Sequence, residues 1–288
     1  YKIFYYVAKY GNLTKAARVL GNSQPTITPA MNCLECEIRC TLFIRTNRGV
    51  RLTPEGERLY TRVSAAMAQL QLAEEELTES TGLEHGSISI GASETALSIY
   101  LLERLKHFHM TYPNIRLKIY NHSTPQAVRS VKNGEIDFAV VTTPTTAKPP
   151  LKEVRLESFR EVLVGGKTFT ALSSQTLTLA ELKNYPLICL GRETMTFAFY
   201  HQLFLSHGLE LEPDTEAATT DQILPLVKSD LGLAFIPESM AVPAIQNHEV
   251  IPIHLQEAIP CRYICMVSDV KRPLNSAARK LKDLILHS

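Results

Sequence analysis

Two Gly-Asn pairs, Gly11-Asn12 and Gly21-Asn22, cut the first 38 residues into three segments whose apolar residues fall at helical spacing. Ile3, Phe4, Val7 and Ala8 share one face, and Leu13, Ala16, Ala17 and Leu20 a second. In the third segment Ser23 predicts an N-cap and Pro25 falls in the first turn, after which Ile27, Met31, Leu34 and Ile38 step by 4, 3 and 4. Three short helices joined by tight turns bury these faces against one another, which predicts a helix-turn-helix. Small Ala16 and Ala17 allow the second and third helices to cross closely. That crossing leaves Gln24, Thr26, Thr28 and Asn32 on the outer face.

After Phe43, the run Arg45-Thr46-Asn47-Arg48-Gly49-Val50-Arg51-Leu52 predicts a hairpin with arginines on both limbs, a wing beside the helices. Thr53-Pro54 supplies an N-cap and a first-turn proline for a long helix. Within it Leu59, Val63, Ala66, Leu70, Ala73 and Leu77 alternate steps of 4 and 3, the spacing of a coiled-coil seam. Dimerisation through residues 53–83 is the expectation, and an amphipathic helix packed on its own domain the alternative. Charge follows the same division. The first 62 residues carry ten Lys and Arg against four acids, and the remainder 20 against 25, so a net charge of +1 conceals a basic head on an acidic body. Such asymmetry suits a head that alone faces a polyanion, here double-stranded DNA.

Gly82 to Gly86 reads as a hinge, beyond which strands and helices alternate. Ser87–Ala92, Ile115–Asn121 and Ile136–Val141 predict strands, with helices over Thr95–Thr111 and Pro125–Asn133 between them, hence a parallel sheet. The Thr- and Pro-rich stretch 142–150 reads as a crossover to a second set. There Glu161–Gly165, Leu187–Leu190, Glu216–Thr219 and Leu233–Ile236 predict strands, with helices over Thr196–His207 and Asp221–Ser229. Tyr263–Ser268 and the helix Pro273–Leu286 return to the first set. The expected organisation is a winged helix-turn-helix over 1–58, a linker helix over 53–83, and a two-lobed α/β domain over 86–288. Its first lobe spans 87–143 and 263–288, and its second 148–262. Two crossovers between lobes make a hinge around a cleft.

Residues Ile3 to Arg62 resemble the DNA-binding domain of LysR-type transcriptional regulators. The resemblance rests on Phe4-x-x-Val7-Ala8-x-x-Gly11-Asn12-Leu13-Thr14-x-Ala16-Ala17-x-x-Leu20-x-x-Ser23-Gln24-Pro25, then Leu34-Glu35, Leu42-Phe43-x-Arg45 and Leu52-Thr53-Pro54-x-Gly56. Further blocks, Asn133-Gly134-Glu135-Ile136-Asp137 and Gly232-Leu233-Ala234-Phe235-Ile236-Pro237, extend it toward the C-terminus. It implies an effector domain like the periplasmic binding proteins and assembly as a homodimer or homotetramer. Pro29 stands in the recognition helix where members often carry a basic or polar residue. Arg39 and Asp230 replace glycines.

For DNA, Gln24 offers a bidentate amide to adenine, and Thr26 and Thr28 offer hydroxyls and methyls. Pro25 and Asn32 lie beside them, and Arg45 and Arg48 suit phosphates. Two half-sites of an interrupted inverted repeat are the expected target, with RNA polymerase a further candidate partner. In the body, Ser93, Thr95, Ser123, Thr124, Thr142 and Thr143 follow first-lobe strands, and Thr194 and Thr196 precede a second-lobe helix. The resemblance implies that such positions line the effector pocket; as ordinary polar residues they would be helix caps. A crevice rich in donors predicts a small anionic effector.

Gly91-Ala92-Ser93-Glu94-Thr95 lacks the last glycine of a hydrolase elbow, and no histidine stands in a context that would activate Ser93, so no catalytic role is expected. Cys33, Cys36 and Cys40 lie along the third helix without an evident fourth ligand, and no metal or cofactor is expected. Cys261 and Cys265, four residues apart in an extended segment, would stand ~13 Å apart, too far to bridge. No stretch approaches the ~20 apolar residues of a membrane span. With six cysteines in no pairing pattern, this predicts a cytoplasmic protein without membrane contact. Because the chain begins at Tyr1 inside a helical pattern, native residues before it are expected. A solute-binding protein without a DNA role would account for two lobes but leave the basic head unexplained.

Overall fold

The computed structural model describes residues 1–46, 49–78 and 86–287, and divides into two compact units, a head that also takes in Asn133–Glu135 and a body made of the rest. In the head, α1 (Lys2–Tyr10), α2 (Leu13–Val19) and α3 (Gln24–Glu37) precede the antiparallel hairpin β1 (Phe43–Thr46) and β2 (Gly49–Leu52) and the long helix α4 (Pro54–Thr78). Gly11 closes α1 at φ +59°, and the Asn12 side chain accepts from Lys15 N at 2.9 Å, capping α2. Phe4, Val7, Ala16, Ala17, Ile27, Met31 and Leu34 are buried together, as their spacing predicts. Ser23 departs from expectation. Its hydroxyl bonds Thr26 Oγ1 at 2.9 Å and makes no cap bond to the backbone of α3.

The motif residues of the wing have structural reasons. Glu35 Oε1 accepts from the Leu42 and Phe43 amides at 2.6 and 3.0 Å, tying α3 to the start of β1. Thr53 Oγ1 donates to Thr41 O and accepts from Gly56 N, so the predicted N-cap of α4 also clasps the wing. A side chain at Gly56 would put its Cβ 2.3 Å from Leu42 O, which requires glycine there.

The seam expected along α4 divides in two. Val63 is buried in the head's own core with Leu59 packed against it, together with Met67, which the heptad reading left out. Those two seam positions are thereby corrected to intramolecular core: the first turns of α4 close over α1 before the helix can offer a face to a partner. Ala66 and Leu70 remain exposed. The side chains of Ala73 and Leu77 lie outside the described residues.

Arg39, just past α3, sits at φ +51°, a left-handed conformation costly for a side chain with a Cβ. Arg39→Gly should therefore stabilise the head by roughly 0.5–1 kcal/mol, measured by urea unfolding; an unchanged or lower midpoint would count against strain at this position. Asp230, at φ +61°, is better supported, because its Oδ1 accepts from both the amide and hydroxyl of Thr168 at 2.9 Å.

In the body, β3 (Gly86–Ala92) leads into α5 (Glu94–Ala96), a π-helical turn (Leu97–Leu101) and α6 (Leu102–Thr111), followed by β4 (Ile115–Asn121), α7 (Thr124–Asn133) and β5 (Phe138–Thr142). Next come β6 (Leu151–Phe159), β7 (Glu161–Gly165), β8 (Thr176–Leu177), β9 (Leu187–Leu190), α8 (Met195–Ser206) and β10 (Thr215–Ala217). The chain ends with α9 (Thr220–Lys228), β11 (Leu233–Pro237), α10 (Glu238–Gln246), β12 (Ile251–Leu255), β13 (Arg262–Asp269) and α11 (Ser276–His287). One sheet has the order β4-β3-β5-β13-β6, the other β10-β9-β11-β7-β12-β8. In the first, β3 pairs in parallel with β4 and β5, and β13 is antiparallel to both β5 and β6. The returning strand and final helix thus belong to the first lobe, with Ala277, Ala278, Leu281 and Ile285 of α11 in its core.

The lobe boundary at 148 is corrected. Residues 151–159 form β6, which lies along β13 in the first sheet, so 143–150 is a loop within that lobe and Thr142 ends β5. The chain passes between sheets at Arg160, between β6 and β7, and again over the segment from β12 to β13 that ends at Cys261.

Candidate functional site

The head presents α3 as its outward polar element. Pro25, Thr26 and Asn32 are exposed and Thr28 is half-buried, while Ile27 between them is fully buried and fixes the helix's rotation. Pro29 lies inside the helix without ending it. Arg45 is exposed on β1. The side chain of Gln24 and the whole of Arg48 lie outside the described residues.

In the body, the switch from one sheet to the other brings hydroxyls of both lobes around one side chain that the sequence reading missed. Arg262, first residue of β13, is 2% exposed and donates from Nη1 to Glu161 Oε1 at 2.6 Å. Its Nη2 reaches Thr142 Oγ1 at 3.0 Å, Thr143 O at 2.9 Å and Thr196 Oγ1 at 3.0 Å, and its Nε reaches Thr143 O at 3.0 Å. The guanidinium lies between the rings of Phe159 and Phe199, 5.4 and 5.0 Å from their centroids. Tyr200 Oη donates to the other oxygen of Glu161. Burial, and then the Glu161 carboxylate, hold that phenol well above its ordinary range. A space of about 20 Å³, room for about one water, lies beside this cluster, bounded also by Thr95, Thr220 and the apolar Ile188, Ile223 and Phe235. Thr95 Oγ1 donates to Thr220 Oγ1 at 3.5 Å, so the two lobes touch at its rim.

Four of the eight predicted effector residues, Thr95, Thr142, Thr143 and Thr196, therefore meet at the Arg262 cluster or the space beside it. The others have local duties. Ser93 Oγ accepts from Ala96 N and caps α5, and Thr194 Oγ1 accepts from Phe197 N at 3.1 Å and caps α8. Buried Thr124 donates to Thr142 O at 3.3 Å, and Ser123 N donates to Gln126 Oε1 at 2.9 Å. Arg262 and Glu161 were not legible because each opens an apolar strand, where a charge reads as the end of the element. Only the pairing of β5 with β13 and the passage from β6 to β7 put the two together.

Cys189 and Cys265 are buried, and burial pushes both thiols up to about 12, with the carboxylates of Glu216 and Glu153 adding to it respectively. Cys33, Cys36 and Cys261 are exposed.

The family model of the LysR substrate binding domain matches residues 81–288. That of the bacterial regulatory helix-turn-helix proteins of the lysR family matches residues 1–57. The HTH-type transcriptional regulator YofA of Bacillus velezensis is 29% identical over 253 residues, covering 88% of this chain and 84% of its own. Full-length OxyR from Pseudomonas aeruginosa has the same fold, with a TM-score of 0.75 at 19% identity over 99% of this chain and 91% of its own. The effector binding domain of QuiR, solved in complex with shikimate, aligns with a TM-score of 0.62 at 18% identity, covering 70% of this chain and 96% of its own. The chain belongs to the LysR family of bacterial regulatory helix-turn-helix proteins, and is a DNA-binding transcriptional regulator with a small-molecule effector domain.

Proposed function

We propose that this regulator binds a small anionic effector in the cleft between its lobes, and that occupancy of the cleft governs its action on DNA. The observation that carries the reading is the convergence of Thr95 and Arg262 from one lobe with Thr196 and Thr220 from the other on a single narrow gap that an effector would widen, Thr142 holding Arg262 from behind. A ligand touching both sides favours the closed arrangement by its differential affinity alone. The QuiR domain, similar in fold, is described in complex with shikimate, itself a small carboxylate. A thermal-shift screen of small carboxylates and phosphates against the full chain tests this directly, since an effector stabilises by mass action. Thr95→Ala and Thr196→Ala should each weaken the bound compound by about 1–2 kcal/mol and leave ligand-free DNA binding unchanged. Variants that melt lower yet bind the compound normally would make these hydroxyls structural.

On the DNA side, Gln24, Thr26, Thr28 and Asn32, with Pro25 at the helix start, are proposed to read bases. Arg45 and Arg48 would meet phosphates, over two half-sites of an interrupted inverted repeat. Binding should fall steeply with salt. Arg45→Ala should weaken all duplexes alike, whereas Gln24→Ala should cost roughly 1–3 kcal/mol on the preferred site and much less elsewhere. Equal losses from Gln24→Ala on both duplexes would remove its assigned role. Residues 1–58, 53–83 and 86–288 serve as DNA-binding, linking and sensing segments, and the exposed Ala66 and Leu70 with Ala73 and Leu77 join two copies. We assign no catalytic activity: the Ser93 hydroxyl is engaged in capping α5. A cytoplasmic location accords with the DNA target and with six free thiols, and no described helix is long and apolar enough to cross a membrane.

A further inference from the structure

Among the described residues that bound the cleft space, Arg262 is the one cation and Glu161 the one acid. They belong to different sheets, and each is the first residue of its strand after a passage between lobes. Both are 2% exposed, and among ion pairs of the described residues theirs alone has both side chains buried. A guanidinium offers a carboxylate two parallel N–H groups, and the bidentate pair is the strong geometry. Glu161 does not take it. One of its oxygens accepts from Nη1, the other is turned to Tyr200 Oη, and Nη2 is left to two threonine hydroxyls and a carbonyl. The cation is thus neutralised by a partner that fills only half of its carboxylate-binding edge, directly beside the narrow gap between the lobes, which must open for a ligand to enter.

Resting on the reading that the effector is an anion held in this cleft, we propose that Glu161 is a built-in competitor for it, occupying on Arg262 the place that a small monocarboxylate takes when the cleft is filled. The incoming carboxylate accepts from Nη1 and Nη2 together and from the Thr196 hydroxyl, whose oxygen accepts from Nη2 at present and whose own proton is available to an anion. Glu161 keeps the Tyr200 hydroxyl as its donor. Two carboxylates then share one buried guanidinium, and their mutual repulsion sets a threshold that only a ligand with further cleft contacts overcomes. A second negative charge on the ligand would add to that repulsion, so the site selects monoanions over dianions.

The test uses the full chain with acetate as probe and acetamide as neutral control, at constant ionic strength, with dissociation constants from melting shifts. Glu161→Gln keeps the size of the side chain and can accept from Arg262 while donating to Tyr200, but carries no charge. It should lower the acetate constant by about tenfold or more and leave acetamide unchanged. Adding Arg262→Met should abolish the gain. Acetate binding to Glu161→Gln no tighter than to the wild type overturns the competitor role; the cleft reading survives that result if Thr196→Ala still weakens acetate on the wild type. Acetate binding indifferent to Thr196→Ala and to the double variant instead removes the cleft reading itself. Tyr200→Phe gives an independent check should Glu161→Gln fail to fold. It frees the second Glu161 oxygen to pair fully with Arg262, so acetate should bind severalfold more weakly, and unchanged binding overturns the proposal.

Discussion

Arg262→Met is expected to lower the stability of the body by about 3–5 kcal/mol, because it strands a buried carboxylate without its counter-charge. At a typical 2–4 °C per kcal/mol for a domain of this size, the melting temperature should fall by roughly 10 °C. The mechanism is specific enough to be reversed. Glu161→Gln added to Arg262→Met leaves no buried charge and should recover most of the loss, although Thr142 and Thr196 still lose a donor. Differential scanning calorimetry of the wild type, the single and the double variant separates the cases. If the double variant is no better than the single, the loss comes from packing against Phe159 and Phe199 and the ion pair is not its source.

Leu70→Lys is expected to convert oligomers to monomers at concentrations where the wild type is associated, measured by sedimentation velocity. Leu70 is 58% exposed on α4, and with Ala66, Met67, Tyr1 and Tyr6 it lines an apolar groove on the head. A lysine there places a charge against a partner and removes apolar burial from two copies at once. Val63→Lys should behave differently. Val63 is 7% exposed in the head's core, so its substitution should unfold the head. Wild-type assembly by Leu70→Lys would show that copies meet elsewhere.

These variants also mark where the sequence was legible. The three head helices, the wing, the Thr53 cap and the strands Leu187–Leu190 and Glu161–Gly165 follow from local spacing and turn chemistry, and the structure has them within a residue or two. The heptad spacing along α4 was legible too, yet it could not tell an intramolecular partner from a second copy, because α1 presents Phe4 and Val7 to the same face. β6 was missed because Lys152, Glu153, Arg155 and Glu157 break up its apolar residues and its partner β13 lies far along the chain. The predicted hydroxyls divided by a similar rule. Thr194 and Ser93 had cap bonds within three residues, whereas Thr142 and Thr196 depended on Arg262, a contact that no local pattern announces. Local chemistry was readable; convergence was not.

Filling the cleft should change how tightly the head holds DNA. The most direct measurement is the affinity of the full chain for its preferred duplex, with and without a small carboxylate that raises its melting temperature. Coupling of about 1–3 kcal/mol, a change of roughly 5- to 150-fold in DNA affinity, is the usual size of such an effect, and the duplex must change the ligand's affinity by the same factor. A reciprocal shift of that order is expected, and Thr196→Ala should need higher ligand concentrations to reach it. A ligand that saturates the cleft while changing neither the affinity for the duplex nor its bend would contradict it.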